Sequence, residues 1–143
     1  MTSIVIIDDV KSNRQILAKI IETIDLNIAI HNFDHAELAI GWINNSNPDL
    51  VITDYKLPGL DGLKLTERLR SHSKSRKIPV LMITTADDLI LPIHARAAGV
   101  SAFLSRPVDY RLIRNRITSL LALHGSRKRL QLVVDNTRSH MSA

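Results

Sequence analysis

DLVITDYKLPGLDG, residues 49–62, decides the fold. Leu50 to Thr53 is a short, uncharged run rich in β-branched residues, the composition of a strand covered on both faces, and it ends directly on a carboxylate, Asp54. Beyond it Leu57-Pro58-Gly59 is turn chemistry. Pro58 fixes φ and Gly59 can take positive φ, so the chain leaves the sheet sharply before Leu60. Asp54 therefore stands at the mouth of a strand. A strand-end aspartate by itself more often caps the next helix than does chemistry, and the rest of the chain has to decide between the two.

Working outward, the same pattern recurs. Ile4 to Ile7 is a four-residue strand that also ends on carboxylates, Asp8-Asp9. Ser12 or Asn13 can cap the helix that follows, whose Ile16, Leu17, Ile20, Ile21 and Ile24 share one face of a 3.6-residue period. Ile28 to Phe33 has strand composition, and Asp34 with Glu37 has capping-box spacing ahead of Ala36, Ala39, Ile40 and Ile43. After the Asp54 turn, Leu63, Leu65 and Leu69 mark a third helix that gives out in the polar stretch Ser71 to Lys77. Pro79 opens a fourth strand, Val80 to Ile83, which ends on Thr84-Thr85. Asp87 or Asp88 can cap the next helix, with Pro92 in its first turn and Gly99 as its stop. Ala102 to Leu104 is a fifth strand, ending on Ser105-Arg106-Pro107, and Asp109 caps a last helix carrying Ile113, Ile117, Leu120 and Leu121.

The 143 residues are 45% hydrophobic but only 3% aromatic, so one aliphatic core is expected in a single domain. With no cysteine there is no disulfide and no thiolate metal site. The N-terminus reaches two aspartates before any apolar run long enough for a signal peptide or a membrane span, and a cytoplasmic location is expected. The net charge of +5 is spread along helices. Without zinc spacing or aromatic interleaving it reads as solvated helix faces or a basic partner surface, not as a nucleic-acid interface.

Strands alternating with helices at this spacing make a parallel sheet covered on both faces, in which function gathers at the carboxyl ends of the strands. The chemistry-bearing residues lie there: Asp8 and Asp9, Asp54, Thr84 and Arg106. If the first and third strands are neighbours, Asp8, Asp9 and Asp54 converge within a few ångströms, at a strand spacing of about 4.8 Å. Carboxylates that close need a cation, and a sparse all-oxygen donor set suits Mg²⁺. A hydroxyl at Thr84 and a cation at Arg106 can hold a phosphoryl group's oxygens while an aspartate oxygen attacks in line.

These motifs carry a resemblance. The acidic pair Asp8-Asp9, Asp54 followed by LPGLDG, then PVLMITTA and AFLSRP together resemble the receiver domain of bacterial two-component response regulators, from about Ile4 to Leu123. The resemblance implies a flavodoxin-like, doubly wound α/β fold, a five-stranded parallel sheet of order 2-1-3-4-5, over residues 1–124. It implies that Asp54 accepts phosphate from a sensor histidine kinase or phosphotransfer protein, making the chain a phosphoacceptor rather than an enzyme. Asp9, Asp54 and the backbone carbonyl of Lys56 would bind Mg²⁺ directly, and Asp8 through a water. Thr84 matches the switch hydroxyl and Phe103 its aromatic partner, for which an ordinary core aromatic is the competing reading. The family also implies a cis Arg106–Pro107 bond and allows a homodimer through the fourth and fifth helices.

The chain departs from its family at Arg106, where lysine is usual. A guanidinium is planar, always charged and longer in reach, so it can hold a phosphoryl group bidentately and can pair with Asp54 before phosphorylation. A degenerate receiver that only binds partners is one alternative this raises. A Mg²⁺-dependent phosphohydrolase is another, weakened because Lys56 stands where such enzymes carry an acid/base aspartate. In the tail, residues 125–143, His124-Gly125-Ser126 could end the helix, or Leu130 and Val133 could prolong it as a stem. Receivers ending this way resemble those joined to an output domain of the cyclic-dinucleotide phosphodiesterase or cyclase type. Asp135 to Ala143 is polar and is expected to be disordered.

Overall fold

The computed structural model describes residues 1–85 and 87–141, with side chains as far as Gly125. Five strands alternate with five helices: β1 Ser3–Ile7, α1 Lys11–Ile24, β2 Ala29–Phe33, α2 Ala36–Ser46, β3 Leu50–Thr53, α3 Gly62–Ser71, β4 Val80–Thr84, α4 Leu91–Ala98, β5 Ala102–Ser105 and α5 Tyr110–Met141. All strands are parallel, in the order β2-β1-β3-β4-β5. This is the doubly wound, flavodoxin-like order that the resemblance implied.

Period-2 alternation splits the strands between two cores. Ile4 and Ile6 of β1, Ile52 of β3 and Ile83 of β4 face α1 and α5, where they pack with Leu17, Ile21, Ile113 and Ile117. Val5 and Ile7, Val51 and Val80 face the other way, onto Ala36, Ala39, Ile43, Leu65 and Leu69 of α2 and α3. Because both faces are covered, the central strands tolerate no polar side chain along their length. Polar groups are left to the strand ends. Among the described residues, no helix is long and apolar enough to cross a membrane.

Several helix ends differ from the sequence expectations. α1 begins at Lys11, before Ser12 and Asn13, with Val10 as its uncapped N-terminal boundary. Asn13 is recruited elsewhere, donating its side-chain amide to Asp8 Oδ2 at 3.2 Å. Asp34 forms no capping box, for its Oδ1 pairs with His35 Nδ1 at 2.8 Å and His35 is the boundary residue of α2. Asp88 accepts from Ile90 N–H at 2.9 Å, a turn that precedes α4 rather than caps it. Asp61 caps α3 by accepting from Lys64 N–H at 2.9 Å, and Asp109 accepts from Arg111 N–H at 2.9 Å at the start of α5.

The backbone of α5 runs without interruption to Met141, through Gly125 and through the polar stretch expected to be disordered from Asp135. Residues 142–143 lie outside the described residues. A helix already nucleated gains one hydrogen bond per added residue, and a single glycine, at about 1 kcal/mol, does not stop it. No proline follows Gly125 to do so.

Candidate functional site

The carboxyl ends of β1, β3, β4 and β5 form one rim. Register fixes who meets whom. Ile7 pairs with Thr53, so Asp8 and Asp54 are the next residues on adjacent strands. Backbone bonds carry the ladder into the rim: Asp54 N–H donates to Ile7 O at 3.2 Å, Asp8 N–H to Phe33 O at 3.1 Å and Arg106 N–H to Thr84 O at 2.7 Å. The Arg106–Pro107 bond is cis.

Asp8 is buried, with 2% of its surface exposed, and is the most constrained group of the rim. Its Oδ1 accepts from Val10 N–H at 2.9 Å and its Oδ2 from Asn13 at 3.2 Å. Burial is the main reason its carboxyl is pushed above the ordinary value. The Asp54 charge adds to the rise, while the Val10 and Asn13 hydrogen bonds and the Arg106 charge oppose it. Asp54 is half-buried, and its Oδ1 accepts from Tyr55 N–H at 2.6 Å.

Arg106 reaches back from β5 toward this pair. Its Nη2 stands 3.7 Å from Asp8 Oδ2, too far for a hydrogen bond but close enough for an ion pair. The partner is thus Asp8, not the Asp54 expected from the reach of arginine. Nε and Nη2 are both buried and make no hydrogen bond. Thr84 is buried at the end of β4 and Lys56 is exposed beyond Asp54. Phe103 is half-buried on β5, opposite Met82 in register, beside Pro92 and Ile93 of α4.

Asp9 is placed differently. β1 ends at Ile7, and in the turn that follows Asp8 is buried while Asp9 is exposed. Among the described residues no set of three or more His, Cys, Asp or Glu stands ready-made for a metal ion. Of the three carboxylates expected to converge, Asp8 and Asp54 lie close enough for their charges to repel, and Asp9 is the exposed neighbour of Asp8.

Two residues that sequence reasoning passed over shape this rim. A Cβ on Gly62 would lie 2.3 Å from the Asp54 carbonyl oxygen, so α3 can start against the Asp54 backbone only with glycine there. Gly62 N–H donates to Tyr55 O at 2.8 Å and closes the loop. Arg14 of α1 donates to the backbone carbonyl of Asp8. The LDG following Pro58-Gly59 was the available signal for Gly62; Arg14 left none.

The model of the response regulator receiver domain matches residues 4–118. The chain belongs to the response regulator receiver domain family. Across 121 residues this receiver is 37% identical to the cyclic di-GMP phosphodiesterase response regulator RpfG of Xanthomonas campestris, a match covering 85% of the chain and 32% of that protein. Over 137 residues it is 29% identical to the response regulator PleD of Caulobacter vibrioides, covering 94% of the chain and 28% of PleD. The chain thus spans about a third of the length of these two relatives. A response regulator structure from Chloroflexus aurantiacus superposes with a TM-score of 0.78 at 27% identity, covering 85% of this receiver and 98% of that chain. The chain is a receiver of two-component signal transduction, a role that implies a histidine kinase as partner.

Proposed function

We propose that Asp54 is the phosphoacceptor of this receiver. The observation that carries the reading is Arg106, whose Nε and Nη2 are buried without a hydrogen-bond acceptor at the rim that Asp54 and Asp8 share. Buried guanidinium N–H groups call for an anion, and a planar donor fork matches phosphoryl oxygens. In the transfer, an Asp54 carboxylate oxygen attacks phosphorus in line and the P–N bond to the donor histidine breaks. Its electron pair stays on the departing imidazole nitrogen, which takes up a proton, and an aspartyl phosphate remains. Arg106 and the Thr84 hydroxyl hold the phosphoryl oxygens.

Receiver domains in general bind Mg²⁺, and the residues here fit it. The donors are hard carboxylate and carbonyl oxygens, and Asp8 and Asp54 carry a repulsion that a divalent cation relieves. Mg²⁺ keeps much of its water and needs few protein ligands, so a ready-made cage is not required. Asp8, Asp9, Asp54 and the Lys56 carbonyl would hold it, and it would neutralise charge on the phosphoryl oxygens. By likeness to RpfG, the output governed by this receiver is an attached cyclic-dinucleotide phosphodiesterase type of domain, or a homodimer through α4 and α5.

Incubation with Mg²⁺ and acetyl phosphate or phosphoramidate should add one phosphate, read by intact mass, with the label mapping to Asp54. Asp54→Asn should take up none and remain folded, since the amide keeps the shape but not the nucleophile. One acid-labile phosphate on the Asn variant would overturn the assignment.

A further inference from the structure

The pairing of Arg106 with Asp8 has a consequence for the metal. We propose that Arg106 is the resident counter-ion of Asp8, that Mg²⁺ has to displace it, and that the pair thereby holds the metal affinity of the resting receiver low. The inference rests on the reading that these carboxylates hold Mg²⁺.

Every oxygen of the Asp8 carboxylate is already engaged from within the protein. Oδ1 takes the Val10 N–H, while Oδ2 takes the Asn13 amide and faces the Arg106 guanidinium. With 2% exposure, Asp8 has no solvent side from which a cation could approach without meeting one of these groups. Val10 and Asn13 are neutral donors on the adjoining loop and α1, and they can stay when the carboxylate turns toward an ion. Arg106 cannot stay. Two cations sharing one buried carboxylate repel each other at a separation where water screens poorly.

Arg106 is also built to leave. Its guanidinium faces Asp8 as an ion pair at 3.7 Å, with Nε and Nη2 making no hydrogen bond. Its backbone is tied by a hydrogen bond, N–H to Thr84 O, that a movement of the guanidinium need not break. Neutralising Asp8 removes the attraction that keeps the guanidinium there and frees its donor fork for an anion on Asp54. Metal binding would then precede and prepare phosphoryl binding, with Arg106 as the positioning residue that links the two. The other cation beside Asp8, Arg14, is tied to the Asp8 backbone carbonyl rather than to its carboxylate. It can keep that bond when the metal enters.

Arg14 therefore supplies the control. Isothermal titration of the full chain with Mg²⁺ would compare wild type, Arg106→Met, Arg106→Gln and Arg14→Met, with thermal melts confirming that each is folded. Loss of the competing pair should tighten Mg²⁺ binding about tenfold in either Arg106 variant, a coupling typical of contacting charges, and less than about twofold in Arg14→Met. Equal tightening in the Arg106 and Arg14 variants would reduce the effect to net charge and overturn the proposal. Binding of Mg²⁺ with unchanged affinity in the Arg106 variants would overturn it while leaving the metal reading intact. Failure of all four proteins to bind Mg²⁺ would overturn both.

Discussion

Gly62→Ala tests whether the backbone behind Asp54 is as closely set as the structure shows. The added Cβ would sit 2.3 Å from the Asp54 carbonyl oxygen and 3.0 Å from Met82 Cε, where ordinary contact begins at 3.4 Å. The methionine terminus can rotate away. The carbonyl cannot, because Asp54 N–H is bonded to Ile7 O at 3.2 Å and Thr53 Oγ1 donates to Asp54 O at 2.8 Å. A shortfall of about 1 Å against backbone costs about 1–3 kcal/mol in overpacking. Better helix propensity returns less than about 1 kcal/mol, since Gly62 is the first residue of α3. The net loss of about 1–2 kcal/mol should lower Tm by about 3–7 °C in a domain of this size. Displacing the Asp54 carbonyl should also slow phosphate uptake from acetyl phosphate by about tenfold or more. Gly41, exposed within α2 and with nothing within 4 Å of its Cβ position, is the control. There alanine should stabilise by up to about 1 kcal/mol. Thermal melts by circular dichroism and uptake followed by intact mass read both effects. A Gly62→Ala protein that melts with or above wild type, or loses no uptake rate, would refute the reasoning.

At the opposite end of the sheet, Arg70 donates to the carbonyls of Ile78 at 2.7 Å, Gly99 at 3.0 Å and Arg76 at 3.2 Å, tying together the approaches to β4 and β5. Arg70→Met should cost about 2–3 kcal/mol in urea denaturation and speed amide exchange at those turns, with phosphate uptake unchanged because the site is at the other strand ends. Asp8→Asn should raise the stability of the metal-free protein at neutral pH, on the order of 1 kcal/mol, by removing a buried charge beside Asp54. The sign with pH follows from the raised Asp8 carboxyl. Between the ordinary value of 3.8 and the raised one, the folded state holds a proton that the unfolded chain has released. Wild type therefore gains stability as pH falls through that window, relative to Asp8→Asn, and loses it as pH rises. Parallel pH profiles of the two proteins in chelator would contradict this.

The strands were legible because their boundaries coincide with a change of chemistry. Ile4–Ile7, Leu50–Thr53 and Val80–Ile83 are uncharged and end on side chains that no two-sided core accepts, so composition alone marks where each leaves the sheet. Helix starts were less legible, for the reason that Ser, Asn and Asp have several uses. Asn13 and Asp34 are good caps by type, but the first is drawn to Asp8 Oδ2 and the second to His35. Tertiary competition of this kind is invisible to local spacing. The extent of α5 was hidden differently, since polarity beyond Gly125 says that a segment has no core to join and says nothing about whether a helix already running will continue.

At the site, sequence order put the chemistry-bearing residues at the strand ends but could not orient them, and it passed over Gly62 and Arg14. Strand spacing puts Asp8, Asp9 and Asp54 at one rim, yet it does not say that of the two neighbours beyond β1 Asp8 is buried and Asp9 is exposed. That division sets the electrostatics. A buried carboxylate next to a second one must find a cation, and the cation already beside it is the residue at which the chain departs from its family. A shorter side chain ending in a compact ammonium would have to choose between Asp8 and the phosphoryl position. The longer guanidinium at position 106 can address Asp8 in the resting state and still turn its unused N–H groups to an anion on Asp54. The substitution thus adds a resting partner without removing the donors that phosphoryl binding needs, and this favours a working acceptor over a degenerate one.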